Sequence, residues 1–329
     1  MSSTRSIQIQ SLCNADGIRV PSECLLLACP SCGGHAWRAE TDQVLRCESC
    51  RTGLPVQGNI IDCLQAGDSV GSPEHGWDAF YRKRTKPYSA EEDWWCLSCW
   101  RSHLFGDHLG DLSGKVVVDF GCGRAVRVAA LAPISVHRYH YVGIDASLEA
   151  LTCAAQAIPG GLFVHGSLDS LRLRAESADF VLCLGVLMYA EDFAKSLGRL
   201  LQVLKPGGIL LLHEQVRRKS WDQFIQKFIR LGRETYPPAY GVGFHKLENQ
   251  LAQRGSILHR HLGGSPLRKP FKKLLDGTVL EPLRPLASWL DSVWCASAGR
   301  VLPAVGASEV QIVFQKTSGT KSSGMKGPS

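Results

Sequence analysis

Five short apolar runs, separated by helix-like stretches between residues 113 and 215, restrict this chain more than any other feature. They are Lys115–Phe120, Tyr141–Ile144, Leu162–His165, Asp179–Leu184 and Ile209–Leu212. The first is a β-branched run, and each is too short for a stable helix. Helical patterns run from Ala125 to Leu131, from Ser147 to Ile158 and from about Glu191 to Leu204. Pro133 closes the first, and Lys205-Pro206-Gly207-Gly208 forces a turn before the last strand. Strands alternating with helices predict an α/β architecture, a doubly wound parallel sheet with helices on both faces. At 329 residues and 44% hydrophobic, the chain can bury a full core, which excludes a mainly disordered protein.

The first strand leads into Asp119-Phe120-Gly121-Cys122-Gly123-Arg124-Ala125. Glycines at such a loop let the backbone approach a ligand that a Cβ would exclude. In open α/β sheets ligands bind at the carboxyl ends of the strands, where this loop lies. A dinucleotide would require G-x-G-x-x-G/A, yet Val126 stands at the third small position. Asp119 would also repel a pyrophosphate, whereas a ligand with an amino group and a sulfonium suits it. Asp145 ends the second strand, where a carboxylate can accept both hydroxyls of a ribose.

With these residues in order, the segment resembles the class I S-adenosylmethionine-dependent methyltransferases, of Rossmann-like fold. The resemblance covers about 113–255, and Glu309–Phe314 resembles the last, antiparallel strand of that fold. It implies that Gly121, Cys122 and Gly123 lie along the amino acid part of S-adenosylmethionine, with Asp119 shaping the loop. Asp145, flanked by Ala146 and Ser147, would hold the ribose, and Ser167 and Leu168 would flank the adenine. Leu184 and the following Gly185–Tyr189 would line the methyl-transfer site. Ser167 stands where many members carry an acid, and Ala125 where they carry a third glycine.

Cysteine usage adds a second constraint. Thirteen cysteines, an odd number, speak against a secreted disulfide framework. Cys29-x2-Cys32 and Cys47-x2-Cys50 have the spacing of a structural zinc site; four thiolates leave no open position for catalysis. A zinc ion there could contribute about 10–16 kcal/mol. The pattern resembles the zinc ribbons that activate or precede some methyltransferases. A pair of redox dithiols is the competing reading. Cys96 and Cys99, among Trp94, Trp95 and Trp100, fit an aromatic helix better than a second metal site.

These features divide the chain into a zinc ribbon (1–65), aromatic-rich lid helices (66–112) and a methyltransferase domain (113–316). Within the last, a basic cap spans about 216–305, and residues 317–329 form a disordered tail. Charge is uneven: residues 216–329 hold 18 Lys/Arg against 7 Asp/Glu, although the whole chain is only +7. Trp221, Phe224, Ile225, Phe228 and Ile229 would share one face of a helix flanked by Arg217, Arg218, Lys219, Lys227, Arg230 and Arg233. Such a helix packs on its own core, or meets an anionic membrane surface or an acidic substrate. RNA is the other acidic partner, although no reader motif accompanies the charge.

The expected chemistry is methyl transfer to a small apolar or acidic metabolite, with a general base only if the acceptor must lose a proton. Glu214 and Tyr189 are the candidates for that work, with His213 and His245 behind them. The alternatives are an RNA methyltransferase and a non-catalytic zinc-ribbon activator. No run approaches the about 20 apolar residues of a membrane-spanning helix, and no signal peptide is evident, so the expected location is cytoplasmic.

Overall fold

The computed structural model describes residues 13–14, 17–18, 26–64, 73–83, 108, 111–125, 139–168, 171–190, 192–215, 243–263 and 309–317, with short pieces between 274 and 297. The expected amphipathic helix at 221–229 and the Cys96–Cys99 pair lie outside the described residues, as do Val126–Leu131 and nearly all of the tail.

Strands β1 (Cys13–Asn14) and β2 (Gly17–Ile18) form a small hairpin of their own. Then β3 (Trp37–Thr41), β4 (Val44–Cys47), β5 (Gly53–Gln57) and β6 (Ile60–Asp62) make an antiparallel meander. β7 (Val116–Phe120), β8 (His140–Asp145), β9 (Leu162–His165), β10 (Ala178–Leu184) and β11 (Leu204–Gln215) pair in parallel, as the alternating pattern predicts. β12 (Gly255–Gly263) and β13 (Glu309–Lys316) close the far edge, β13 antiparallel to both β11 and β12. The lateral order is β12-β13-β11-β10-β7-β8-β9-β6-β5-β4-β3.

Helix α1 (Pro73–Lys83) precedes β7, and α2 (Leu148–Ala157) follows β8. α3 (Phe193–Val203) joins β10 to β11, and α4 (Phe244–Ala252) precedes β12. Two starts follow from capping: Ser147 Oγ accepts the Ala150 N–H at 3.2 Å, and Asp192 Oδ1 accepts those of Ala194 and Lys195 at 3.0 and 3.1 Å. The sheet is buried on both faces, which is why its central strands read as unbroken apolar runs. Val118, Ile144, Val181 and Leu212 share one core with Leu197, Leu200, Leu247 and Leu251 of α3 and α4. Val117, Tyr141, Phe163, Leu182 and Leu211 share the other with Leu151 and Ala154 of α2 and with Ile158, which caps its end.

Two features depart from the sequence reading. β11 begins at Leu204, before the expected turn. The Lys205–Gly208 segment bulges out of the strand, so that β10 advances from Ala178 to Phe180 while its partner moves from Leu204 to Ile209. Gly207 takes the bend at φ +78°, and Lys205 Nζ anchors it to Asp179 Oδ2 at 2.8 Å. The N-terminal meander is also continuous with the main sheet. β6 pairs in parallel with β9, and Leu26, Leu27, Trp37, Leu45 and Leu54 belong to the same core as α3 and α4. Ala28 and Arg174 add backbone bonds, to Arg172 O at 3.0 Å and Leu26 O at 2.7 Å.

Candidate functional site

The carboxyl ends of β7, β8 and β9 meet around the glycine turn. Gly121 and Gly123 lie at φ +68° and +55°, where a side chain is strained, and Ala125 adopts φ +54° beside them. The N–H groups of Gly121 and Cys122 both donate to the Ile144 carbonyl, at 2.7 and 3.0 Å. A Cβ on Gly121 would run into Val186, and one on Gly123 would lie 2.7 Å from Tyr81 Oη. Gly121 and Gly123 are therefore positions where any side chain would be strained. Asp119 is buried beneath this cradle and accepts the Tyr141 hydroxyl at 2.9 Å. Burial pushes the Cys122 thiol up, and the charges of Asp145 and Asp119 push it further.

Asp145 organises the edge of this cradle. Its Oδ2 accepts the Gly123 N–H at 2.8 Å and its Oδ1 the Ser147 N–H at 2.9 Å. Burial raises its carboxyl to about 6, although the Ser147 and Gly123 N–H groups and the nearby His165 favour the charged form. Ala146 follows, its carbonyl 3.2 Å from His165 Nε2. Ser167 and Leu168 are half-buried just past β9; their carbonyls accept the Leu171 N–H at 2.8 Å and the Arg199 guanidinium at 2.7 Å. Leu184 is buried at the end of β10.

Helix α1 covers the cradle. Asp78 Oδ1 accepts the Ser147 hydroxyl at 2.6 Å and the Glu149 N–H at 3.2 Å. The Arg124 guanidinium donates to the Tyr81 carbonyl at 2.9 Å and sits 5.6 Å from that ring's centroid. Trp77 packs edge-on against Tyr189 at 4.9 Å and against Phe80 at 5.5 Å. Trp77 is among the residues from which sequence reasoning expected a lid. Asp78, Asp62 and His165 it missed, because their role depends on partners 69 to 103 residues away.

Glu214 does not lie where a base would be free to act. It is fully buried, and its carboxylate accepts the N–H groups of Val186, Leu187 and Met188 at 3.1, 2.9 and 3.1 Å. It clamps the turn after β10, and burial lifts its carboxyl to about 7 against those three donors. Tyr189 ends that same turn, half-buried. His213, buried at the carboxyl end of β11, lies 3.3 Å from Glu309 Oε2, whereas His245 is exposed on α4.

The four expected metal ligands converge. Cys29 Sγ lies 3.5 Å from Cys50 Sγ and Cys32 Sγ 3.6 Å from Cys47 Sγ, and all four sulfurs lie within 4.8 Å of one another. The two Cys-x-x-Cys turns match: Gly33 and Arg51, each after the second cysteine, take φ +75° and +66° and donate to the Cys29 and Cys47 carbonyls at 2.8 and 2.9 Å. The hydrogen bonds of Thr52, side chain and backbone, bring the Cys50 thiol down to about 6, while against the Gly34 N–H the neighbouring Cys50, Cys47 and Cys29 sulfurs push Cys32 up to about 12. This donor set fits a tetrahedral Zn2+.

Residues 118–212 match a family model described as a methyltransferase domain. The tRNA U34 carboxymethyltransferase of Desulfotalea psychrophila is 34% identical over 116 residues, 33% of this chain and 35% of that protein. The phthiotriol/phenolphthiotriol dimycocerosates methyltransferase 1 of Mycobacterium ulcerans is 31% identical over 111 residues, 33% of this chain and 40% of that one. The trans-aconitate 2-methyltransferase of an Azoarcus species is 34% identical over 125 residues, 37% and 45% of the two chains. Each likeness thus spans less than half of the curated relative's length.

Proposed function

We propose that this protein is an S-adenosylmethionine-dependent methyltransferase acting on a small acidic or apolar metabolite, with one structural zinc ion in its cysteine cluster. One observation carries the reading: a glycine cradle with no room for Cβ atoms, closed at its edge by the Asp145 carboxylate. A ribose hydroxyl pair suits that carboxylate, and the buried Asp119 beneath the turn disfavours a pyrophosphate. The methyltransferase family match over the same residues supports it. Two of the similar proteins are named for trans-aconitate, a small acid, and for phthiotriol dimycocerosates, a lipid.

The donor, when bound, supplies an electrophilic methyl group on a sulfonium. The chain's own contribution is placement. Gly121–Gly123 and Asp145 orient the amino acid and ribose parts, and α1 excludes water from above. The electron-rich faces of Trp77 and Tyr189 are suited to lie near a sulfonium charge. Holding donor and acceptor in contact can contribute about 7–11 kcal/mol to such a displacement. Tyr189 is the proposed group for orienting the acceptor, and Glu214 keeps its turn in place.

Calorimetry with S-adenosylhomocysteine and with NAD tests this reading. Micromolar uptake of the first and none of the second is expected; uptake of NAD alone would overturn it.

A further inference from the structure

We propose that His165 is a positioning residue for the donor loop, tying Asp145 and Ala146 to the strand that emerges from the cysteine-rich meander. The inference rests on the reading of Asp145 as the ribose acceptor. Asp62, His165 and Asp145 are directly paired across β6, β9 and β8, a row of carboxylate, imidazole and carboxylate at the carboxyl ends of three parallel strands. His165 Nδ1 lies 3.0 Å from Asp62 Oδ1 and its Nε2 lies 3.2 Å from the Ala146 carbonyl. The ring is buried, and Asp62 is itself fixed by the Leu64 N–H at 3.1 Å.

Both partners of the ring are acceptors, so both nitrogens must donate, and only the imidazolium carries two N–H groups. A neutral ring keeps one bond and drops the other. If it keeps Asp62, the Ala146 carbonyl is released, and with it the bend between Asp145 and the cap of α2. His165 does not reach the donor; it acts through Ala146. Two charged groups face the ring: Asp62 from β6 and Asp145 from β8, with Asp78 of α1 beyond Asp145. All are acidic.

The test is calorimetry of S-adenosylhomocysteine binding to the full-length, metal-loaded protein, compared with His165→Gln and Asp62→Asn, from pH 6 to 9, with thermal melting alongside. Gln can donate to only one of the two acceptors and does not titrate. Both variants should bind about tenfold more weakly near pH 6.5, the size of one charge-assisted hydrogen bond. The loss in both variants should appear in binding across the whole pH range and not only in melting temperature. Equal affinities in all three proteins, or a lower melting temperature with an unaltered binding profile, would overturn the positioning role while leaving the donor site standing. Asp62→Asn keeps the test valid if His165→Gln fails to fold. Wild-type protein that takes up no S-adenosylhomocysteine would remove the donor-site reading, and this inference with it.

Discussion

The backbone N–H of Gly123 donates to Oδ2 of Asp145 across 2.8 Å, joining the glycine turn after β7 to the end of β8. The same carboxylate takes the Ser147 N–H on its other oxygen, so one side chain sets both the cradle and the start of α2. Asp145 thus shapes the site it is proposed to serve.

Replacing Asp145 by Ala removes a charged acceptor from two backbone donors and from the proposed ribose contact. S-adenosylhomocysteine affinity should fall about 10–100-fold, as expected for charge-assisted bonds of about 1.5–3 kcal/mol. Metal content should not change. Because burial sets the Asp145 carboxyl near 6, wild-type affinity should also weaken on acidification below that pH. Undiminished binding by the variant in calorimetry would exclude the ribose assignment.

Glu214→Gln leaves one carbonyl oxygen where two carboxylate oxygens served three N–H groups, and turns an amide NH2 towards a backbone donor. A loss of about 1–3 kcal/mol is expected, read by urea denaturation. The folded carboxyl stands near 7, above its ordinary value of 4.5. Its contribution to stability is therefore fully present below about 4.5 and is lost as the pH rises through 7. The advantage of wild type over the variant should shrink from pH 5 to pH 8. An advantage that grows over that range would contradict the sign.

Gly121→Ala meets two obstacles: the left-handed backbone and the Val186 side chain. The left-handed strain alone costs about 1–2 kcal/mol. Adding Val186→Ala should recover the steric part of the loss and leave the backbone part. Melting temperatures of the single and double variants separate the two, and no recovery at all would show that Val186 is not the obstacle.

Cys32→Ser should abolish binding of one zinc equivalent, measured by metal analysis. Since Cys29, Trp37 and Leu45 share a core with Leu197 and Leu247, the loss should lower the melting temperature of the whole protein rather than release a separate early transition. An independent low-temperature transition would mean that the meander folds by itself.

Much of the sheet was legible locally. Short apolar runs that stop at Gly121, at Asp145 and after His165 mark strands buried on both faces, and Ser147 and Asp192 cap helix starts through their own side chains. β12 was not expected, because Gly255–Gly263 carries His259, Arg260 and His261 in a half-exposed outer strand with no apolar alternation to reveal it. The four cysteines were legible because two tight turns of the same spacing can serve one ion. For Glu214 the sequence offered a base or a structural polar group, and the three amides that its carboxylate meets come from a turn 26 to 28 residues away, since a carboxylate at a strand end looks the same in either role.

Local spacing, then, determined the order of strands and helices, the glycine turn and the cysteine pairs, each governed by backbone geometry over a few residues. Only the folded sheet decided that β6 lies beside β9, that Asp62 meets His165 and that Asp78 reaches Ser147. Those contacts join residues 69 to 103 positions apart, and lateral strand order, which no short-range preference encodes, is what brings them within hydrogen-bond reach.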